Sequence, residues 1–469
     1  MSCGILSLRE YGALFPPNLP MSTDVIAQPV AVQPAAATLP SLPEVHSSVQ
    51  VSRSRLYWRR VLGFLGPGFL ISVGYMDPGN WATDIAGGSR FGYTLLFVVM
   101  ASNLMAILLQ SLSLKLGVAT ERDLAQLCRE RYGAKTSFAL WILAEVAIAA
   151  CDLAEVIGSA IALQLLFHIP LFYGVLITGL DVLLILLLQR WGFRYIESLV
   201  IALIGIIIAM FGVQMFFSRP DYLPALRCLF IPSPSIVINP DMLYIAIGIL
   251  GATVMPHNLY LHSSIVQSRN YKRTPGGKRE AIHMANVDSA LALSIALFVN
   301  AAILIVAAAV FYRSGHFEVA AIQDAFKLLS PLVGAASAST LFAIALLASG
   351  QNSSITGTLA GQVVMEGFIH IRLAPWLRRL ITRSLAIIPT IIVVAITGEA
   401  GTEKLLILSQ VILSLQLSFA VVPLVIFTGN RAMMGEFVNG RAMKILAWFT
   451  AGLIAVLNAW LLIQTALGR

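Results

Sequence analysis

The chain has 469 residues, of which 58% are hydrophobic and 12% charged, and its mean hydropathy is +0.83. A soluble protein of this length does not carry so few charges, so the composition excludes soluble classes. The formal charge of +8 does not point to nucleic acid, because the basic residues sit in short loops between apolar segments, where they set membrane orientation.

In chain order, residues 1–52 are rich in Pro, Ala, Val and Ser without helical or strand period, as in Ala27-Gln28-Pro29 and Pro34 to Pro43. This stretch reads as a disordered cytoplasmic extension. It lacks the basic start, compact apolar core and small-residue cleavage site of a signal peptide, and Met21 is an alternative start. A transmembrane domain is expected over 53–469, with eleven apolar spans at 62–87, 92–116, 138–163, 170–189, 195–217, 242–267, 287–312, 338–364, 380–397, 404–428 and 445–467. Several of them reach the roughly 20 residues that cross a bilayer as helix. With the N-terminus inside, the inner segments hold 24 Lys and Arg and the outer segments seven. The N-terminus is therefore expected in the cytoplasm and the C-terminus outside. The short loops, and the lack of an Asn-x-Ser/Thr site in any outer loop, suit a bacterial inner membrane. Cys3, Cys128, Cys151 and Cys228 form no paired spacing and suggest neither a disulfide framework nor a zinc site.

Two spans are broken near their middle. Gly74-Tyr75-Met76-Asp77-Pro78-Gly79-Asn80 interrupts the first, and Ala252-Thr253-Val254-Met255-Pro256-His257-Asn258 interrupts the sixth. Proline lacks an N–H and clashes with the preceding turn, so each break leaves carbonyls unpaired. Inside a bilayer such backbone is tolerated only where protein buries it or it lines a cavity. Matching breaks in the first and sixth spans make repeats of five spans each. Five is odd, so the repeats must be inverted: about 62–217 and 242–428, with 445–467 as an extra helix. This is an alternating-access architecture, and the broken helices point to its midplane site.

Asp77 brings a carboxylate to membrane depth, where a charge costs about 2.5–3.5 kcal/mol unless it faces a cavity or partner. The alternative is that it merely caps a helix. Asn80 supplies an amide oxygen, the breaks free the carbonyls of Gly74 and Ala252, and Met255 adds a thioether where it would otherwise be core filler. Hard oxygens alone suit Mg²⁺, Ca²⁺ or Mn²⁺; an added soft sulfur favours Mn²⁺, Fe²⁺, Co²⁺ and Cd²⁺. Glu145, Asp152 and Glu155 in the third span share one helical face and mark a water-filled or proton-relaying path. His257 could pass protons between that line and the metal site. The alternatives are a structurally satisfied His257 and a Glu145 that pairs with a basic residue.

Asp77-Pro78-Gly79-Asn80, Met255-Pro256-His257-Asn258-Leu259-Tyr260-Leu261-His262-Ser263 and Gly350-Gln351-Asn352-Ser353-Ser354-Ile355-Thr356-Gly357-Thr358-Leu359-Ala360-Gly361-Gln362 resemble the signatures of the Nramp family, the natural resistance-associated macrophage proteins. The resemblance covers about 53–467. It implies an all-α LeuT-type fold of two inverted five-helix repeats plus an eleventh helix, and proton-coupled import of Mn²⁺ and Fe²⁺. It implies metal ligation by Asp77, Asn80, Met255 and the carbonyl of Ala252, with Gly74 in some states and Gln410 in the occluded state. It also implies proton transfer through Asp77, His257, Glu145, Asp152 and Glu155. Two departures stand out: Gly74 where alanine is common, and Ser418 in place of a proline that bends the tenth span. Related magnesium and aluminium carriers change the methionine position, and Met255 is intact.

The competing readings are an amino-acid or amine symporter of the same fold, a related carrier of another metal, a channel and an intramembrane metalloenzyme. The absence of His-Glu-x-x-His argues against the last, and no enzymatic activity is expected. Metal ions and protons are expected as cargo and the bilayer as surroundings. No resident cofactor, nucleic acid or protein partner is expected.

Overall fold

In the computed structural model the described residues are 40–43, 45–51, 56–180, 191–319, 321–369, 375–397 and 400–466. The helices are α1 (Tyr57–Phe64), α2 (Pro67–Gly74), α3 (Pro78–Phe91), α4 (Leu96–Thr120), α5 (Leu124–Arg131), α6 (Ala134–Phe167), α7 (Leu171–Thr178), α8 (Phe193–Ser218), α9 (Tyr222–Phe230) and α10 (Ser235–Ile238). They continue with α11 (Pro240–Thr253), α12 (Pro256–Ile265), α13 (Pro275–Ala307), α14 (Ile322–Val333), α15 (Ala338–Ile369), α16 (Pro375–Thr397), α17 (Ala400–Gly429), α18 (Arg431–Met434) and α19 (Arg441–Ala466). Among the described residues, seven helical segments are long and apolar enough to cross a membrane, counting the broken pair α11–α12 as one.

The remaining expected spans differ for local reasons. The first is split into α2 and α3, each too short alone. The fourth begins as α7, and its continuation over 181–190 lies outside the described residues. The polar Gly350–Gly361 stretch of the eighth continues inside α15 as helix, buried along nearly its whole length. The tenth, α17, is one of the seven; it carries Pro423 within it, and Asn458 of α19 donates to Ser418 Oγ at 3.3 Å.

Proline sets both breaks. Pro78 and Pro256 occupy the first turns of α3 and α12, where a missing N–H costs nothing because those donors have no partner within the helix. α6, α8, α13 and α15 pack against the first broken span, α2–α3, and so do α17 and both halves of the second broken span, α11 and α12. The outer faces are apolar and exposed, as at Phe216, Ile445 and Phe449, which suits helices that meet lipid.

One expectation fails at the N-terminus. Residues 1–39 lie outside the described residues, but 40–43 and 45–51, assigned to the disordered extension, are folded onto the bundle. Leu42 and Val45 are buried in the main core. Ser41 Oγ donates to Asp123 Oδ2 at 2.5 Å, and Ser47 N donates to the Gln267 carbonyl at 2.9 Å. Val49–Gln50 (β1) then pairs in parallel with Arg269–Asn270 (β2), Val49 opposite Arg269. Burial pushes the Asp123 carboxyl up to about 6, with the hydrogen bonds from Ser41 and the Gln126 backbone opposing the rise.

Arg269 was counted as a loop charge and is instead fully buried. Its guanidinium lies 2.9 Å from Glu197 of α8 and donates to the Phe64 and Leu65 carbonyls at 3.2 and 2.8 Å. Beside it, Asp288 of α13 accepts from the backbone N–H groups of Gly66 and Gly68 at 3.2 and 2.6 Å. The base of the first broken span is thereby tied to α8, α13 and the strand after α12.

Candidate metal centre

The two breaks meet. Asp77 is the N-cap of α3, and its Oδ1 accepts from Asn80 N at 2.8 Å, so the capping reading holds for that oxygen. The other oxygen, Oδ2, is buried with no hydrogen-bond partner among the described residues. Asp77 is fully buried, which makes a free carboxylate oxygen costly unless something positive is to occupy the space beside it.

Asn80 Nδ2 stands among the oxygens expected as ligands. It lies 2.7 Å from Asp77 Oδ1, 3.1 Å from the Ala252 carbonyl and 3.4 Å from the Gly74 carbonyl. Met255, the N-cap residue of α12, comes in from the sixth span. A Cβ added to Gly74 would fall 3.2 Å from Met255 Sδ and 2.4 Å from Asn258 Nδ2. Glycine at 74 therefore leaves room for the Asn258 amide, which a Cβ there would displace. Met255 also packs against Ala147, Cys151 and Leu413, so its sulfur reaches the site from a small apolar cluster. Gln410 of α17 lies over the first turn of α3, where a Cβ on Gly79 would collide with its amide, and its Oε1 has no partner among the described residues.

Among the described residues no three His, Cys, Asp or Glu side chains are arranged to hold a metal ion. The centre at the breaks is of another kind, with one carboxylate, side-chain amides, two backbone carbonyls and a thioether. That set suits a divalent cation of intermediate softness better than a structural zinc.

The expected proton line is only partly gathered. Asp152 and Glu155 of α6 meet Arg383 of α16 at 3.8 and 3.5 Å, and Arg383 also donates to Ser354 Oγ. Glu145 lies earlier on α6, half-buried, and accepts from Trp141 Nε1 at 2.9 Å. His257 is buried beside the α12 break, and neither ring nitrogen has a partner among the described residues. It is not a hydrogen-bonded core histidine, and no direct bond joins it to Asp152 or Glu155.

Three residues escaped the sequence reading. Arg383 was counted as an inner-loop charge although it is 4% exposed inside a helix; its place four residues into the ninth span was the available signal. Asp84, two turns into α3, is buried with Oδ2 unpartnered among the described residues. Asn300, a lone amide in the apolar α13, donates to the Tyr75 carbonyl at 2.8 Å and faces Asn80 Oδ1 at 3.5 Å. Tyr75 is anchored elsewhere as well: Gln110 Nε2 donates to its hydroxyl at 2.7 Å, and Gln110 Oε1 lies 2.9 Å from His262 Nδ1.

Known proteins share both the sequence and the shape. Residues 68–464 match the model of the family described as natural resistance-associated macrophage protein-like. The chain is 63% identical over 429 residues to the divalent metal cation transporter MntH of a Nostoc species, covering 92% of this chain and 97% of that one. It is 60% identical to the protein of the same name from Mesorhizobium japonicum, with 92% and 94% covered. The crystal structure of the Eremococcus coleocola manganese transporter superposes with a TM-score of 0.84 at 45% identity, covering 89% of this chain and 90% of that one. A closed-state structure of Mhp1, a nucleobase-cation-symport-1 family transporter, superposes with a TM-score of 0.56 at 14% identity, over 84% and 92% of the two chains, a likeness of fold alone.

Proposed function

The chain belongs to the Nramp family, and on that premise we propose that it imports divalent transition-metal ions, Mn²⁺ and Fe²⁺ with Cd²⁺ and Co²⁺ also accepted, together with protons. It is a multi-pass membrane transporter with the LeuT-type fold of two inverted repeats and an eleventh helix. The repeats run about 62–217 and 242–428. The cation is cargo and binds between the two breaks, held by Asp77, Asn80, Met255 and the carbonyl of Ala252, with Gly74 and Gln410 joining in particular states. The observation that carries this reading is the ring of Asp77 Oδ1 and the Ala252 and Gly74 carbonyls around one amide nitrogen, with a methionine sulfur beside it.

The protein resides in the plasma membrane with its N-terminus in the cytoplasm and its C-terminus outside. The excess of Lys and Arg in the inner loops supports this. Arg269 and Arg383 leave that count because they are buried, and the excess stays large without them.

Protons share Asp77 with the metal and otherwise take a route of their own. Asp77 and His257 serve at the breaks, and Asp152, Glu155 and Glu145 serve along α6, with Arg383 balancing the charge of Asp152 and Glu155. Asp152→Asn is accordingly expected to flatten the pH dependence of uptake and cut proton flux while leaving Mn²⁺ affinity within about twofold of the native value, since the side chain lies off the metal centre. Calorimetry on purified protein checks the affinity. A parallel loss of binding would move Asp152 into the metal site.

The direct test of function is Mn²⁺ uptake into proteoliposomes, with and without an inward proton gradient. Uptake that rises with the gradient is expected. No uptake under either condition overturns the transport reading, and uptake blind to the gradient overturns the coupling.

A further inference from the structure

Three acceptors surround Asn80 Nδ2, and none of them can donate: Asp77 Oδ1, the Ala252 carbonyl and the Gly74 carbonyl. With no cation present, an amide oxygen turned toward this group would meet only lone pairs, so the NH₂ must face it. A divalent cation reverses the requirement, because hard and intermediate cations take an amide through its oxygen. Asn80 therefore has to turn its amide over as the cation enters.

The far side of that amide decides what the turn costs. Asn80 Oδ1 faces Asn300 Nδ2 at 3.5 Å, and the same nitrogen donates to the Tyr75 carbonyl. Asn300 is buried, and its own Oδ1 has no hydrogen-bond partner among the described residues. A buried carbonyl oxygen without a donor is costly, and here it sits next to an amide whose donors are about to be displaced. Without an acceptor on α13, the turned Asn80 would gain a cation contact and bury two unmet N–H groups.

We propose that Asn80 and Asn300 form a coupled amide pair that registers whether the cation site is filled. When Asn80 turns its oxygen onto the cation, its NH₂ comes to face Asn300, which must turn over with it, release the Tyr75 carbonyl and present its own Oδ1 as the acceptor. Asn300 is then a positioning residue for metal recognition and not a ligand. Because Asn300 also holds the Tyr75 carbonyl, at the hinge between α2 and α3, occupancy of the site is communicated to the hinge itself. This inference rests on the cation site proposed above.

A double-mutant cycle on the purified full-length protein tests it. Calorimetric titrations with Mn²⁺ and Cd²⁺ are made on the native protein, Asn80→Ala, Asn300→Leu and the double variant. Cd²⁺ is included because its affinity for thioether sulfur keeps binding measurable once the amide is gone. Asn300→Ser is carried in parallel, since it is smaller and polar, and thermal unfolding of the metal-free proteins controls for folding. Loss of Asn300 is expected to weaken binding roughly tenfold in the native background and less than about twofold in the Asn80→Ala background. Equal weakening in both backgrounds, or none in the native one, overturns the pairing. A native protein that binds neither ion overturns the cation site itself, which is a different failure.

Discussion

Asp77→Ala is expected to bring metal uptake to background. Among the described residues Asp77 is the only carboxylate that accepts from Asn80, whose amide also donates to the carbonyls at the breaks, and it is fully buried. Removing it leaves a divalent charge with only neutral ligands in a low-dielectric site, where each uncompensated charge is far more costly than in water. The substitution also deletes the N-cap of α3, which costs about 1 kcal/mol and would lower yield rather than abolish transport. Asp77→Asn separates the two effects, because its Oδ1 can still accept from Asn80 N while the charge is gone. Both variants, reconstituted and assayed for Mn²⁺ uptake, should fall to background. Transport by the Asn variant at a third or more of native rate would make capping, not charge, the essential role of this side chain.

Met255→Ala is expected to alter which ions compete. Mg²⁺ and Ca²⁺ give up an oxygen or water ligand to accommodate a thioether and gain little in return. Mn²⁺ and Fe²⁺ lose less by the exchange, and Cd²⁺ gains most. The sulfur thus works largely by rejecting abundant hard ions. Met255 is also fully buried against Ala147, Cys151 and Leu413, and truncation there costs about 2–5 kcal/mol of stability. Met255→Leu fills nearly the same volume without sulfur, and volume-conserving swaps usually cost under about 1.5 kcal/mol. Both variants are expected to weaken Cd²⁺ strongly and Mn²⁺ moderately, and to let Ca²⁺ or Mg²⁺ inhibit Mn²⁺ uptake. Native competition curves in the Leu variant would reduce Met255 to a packing residue.

The breaks were legible in the sequence because proline acts locally: Pro78 and Pro256 end their spans whatever surrounds them. The juxtaposition of Asp77, Asn80 and Ala252 follows from the inverted repeat, which the odd span count exposed. What escaped depends on packing at a distance. Arg383 reads as an inner-loop charge because basic residues gather at helix ends, and only its meeting with Asp152 and Glu155 across the α6–α16 contact shows it to be internal. Asn300 is one amide in an apolar helix, with no local pattern to mark it. Gly74 looked like a mild departure until Met255 and Asn258 were seen against its missing Cβ. Leu42 and Val45 lie in a Pro-rich stretch without periodicity, and their burial is created entirely by the surfaces they land on.

That last segment bears on how the protein is handled in the laboratory. A cleavage site or affinity tag placed at residue 52 or 53, where the hydropathy pattern suggests that the folded part begins, would cut away two buried side chains, the Ser41–Asp123 bond and the strand pairing at Val49 and Gln50. Trimming that stops before Pro40 spares all of them. Both candidate initiators, Met1 and Met21, lie upstream of the anchored segment, so a chain begun at either keeps these contacts.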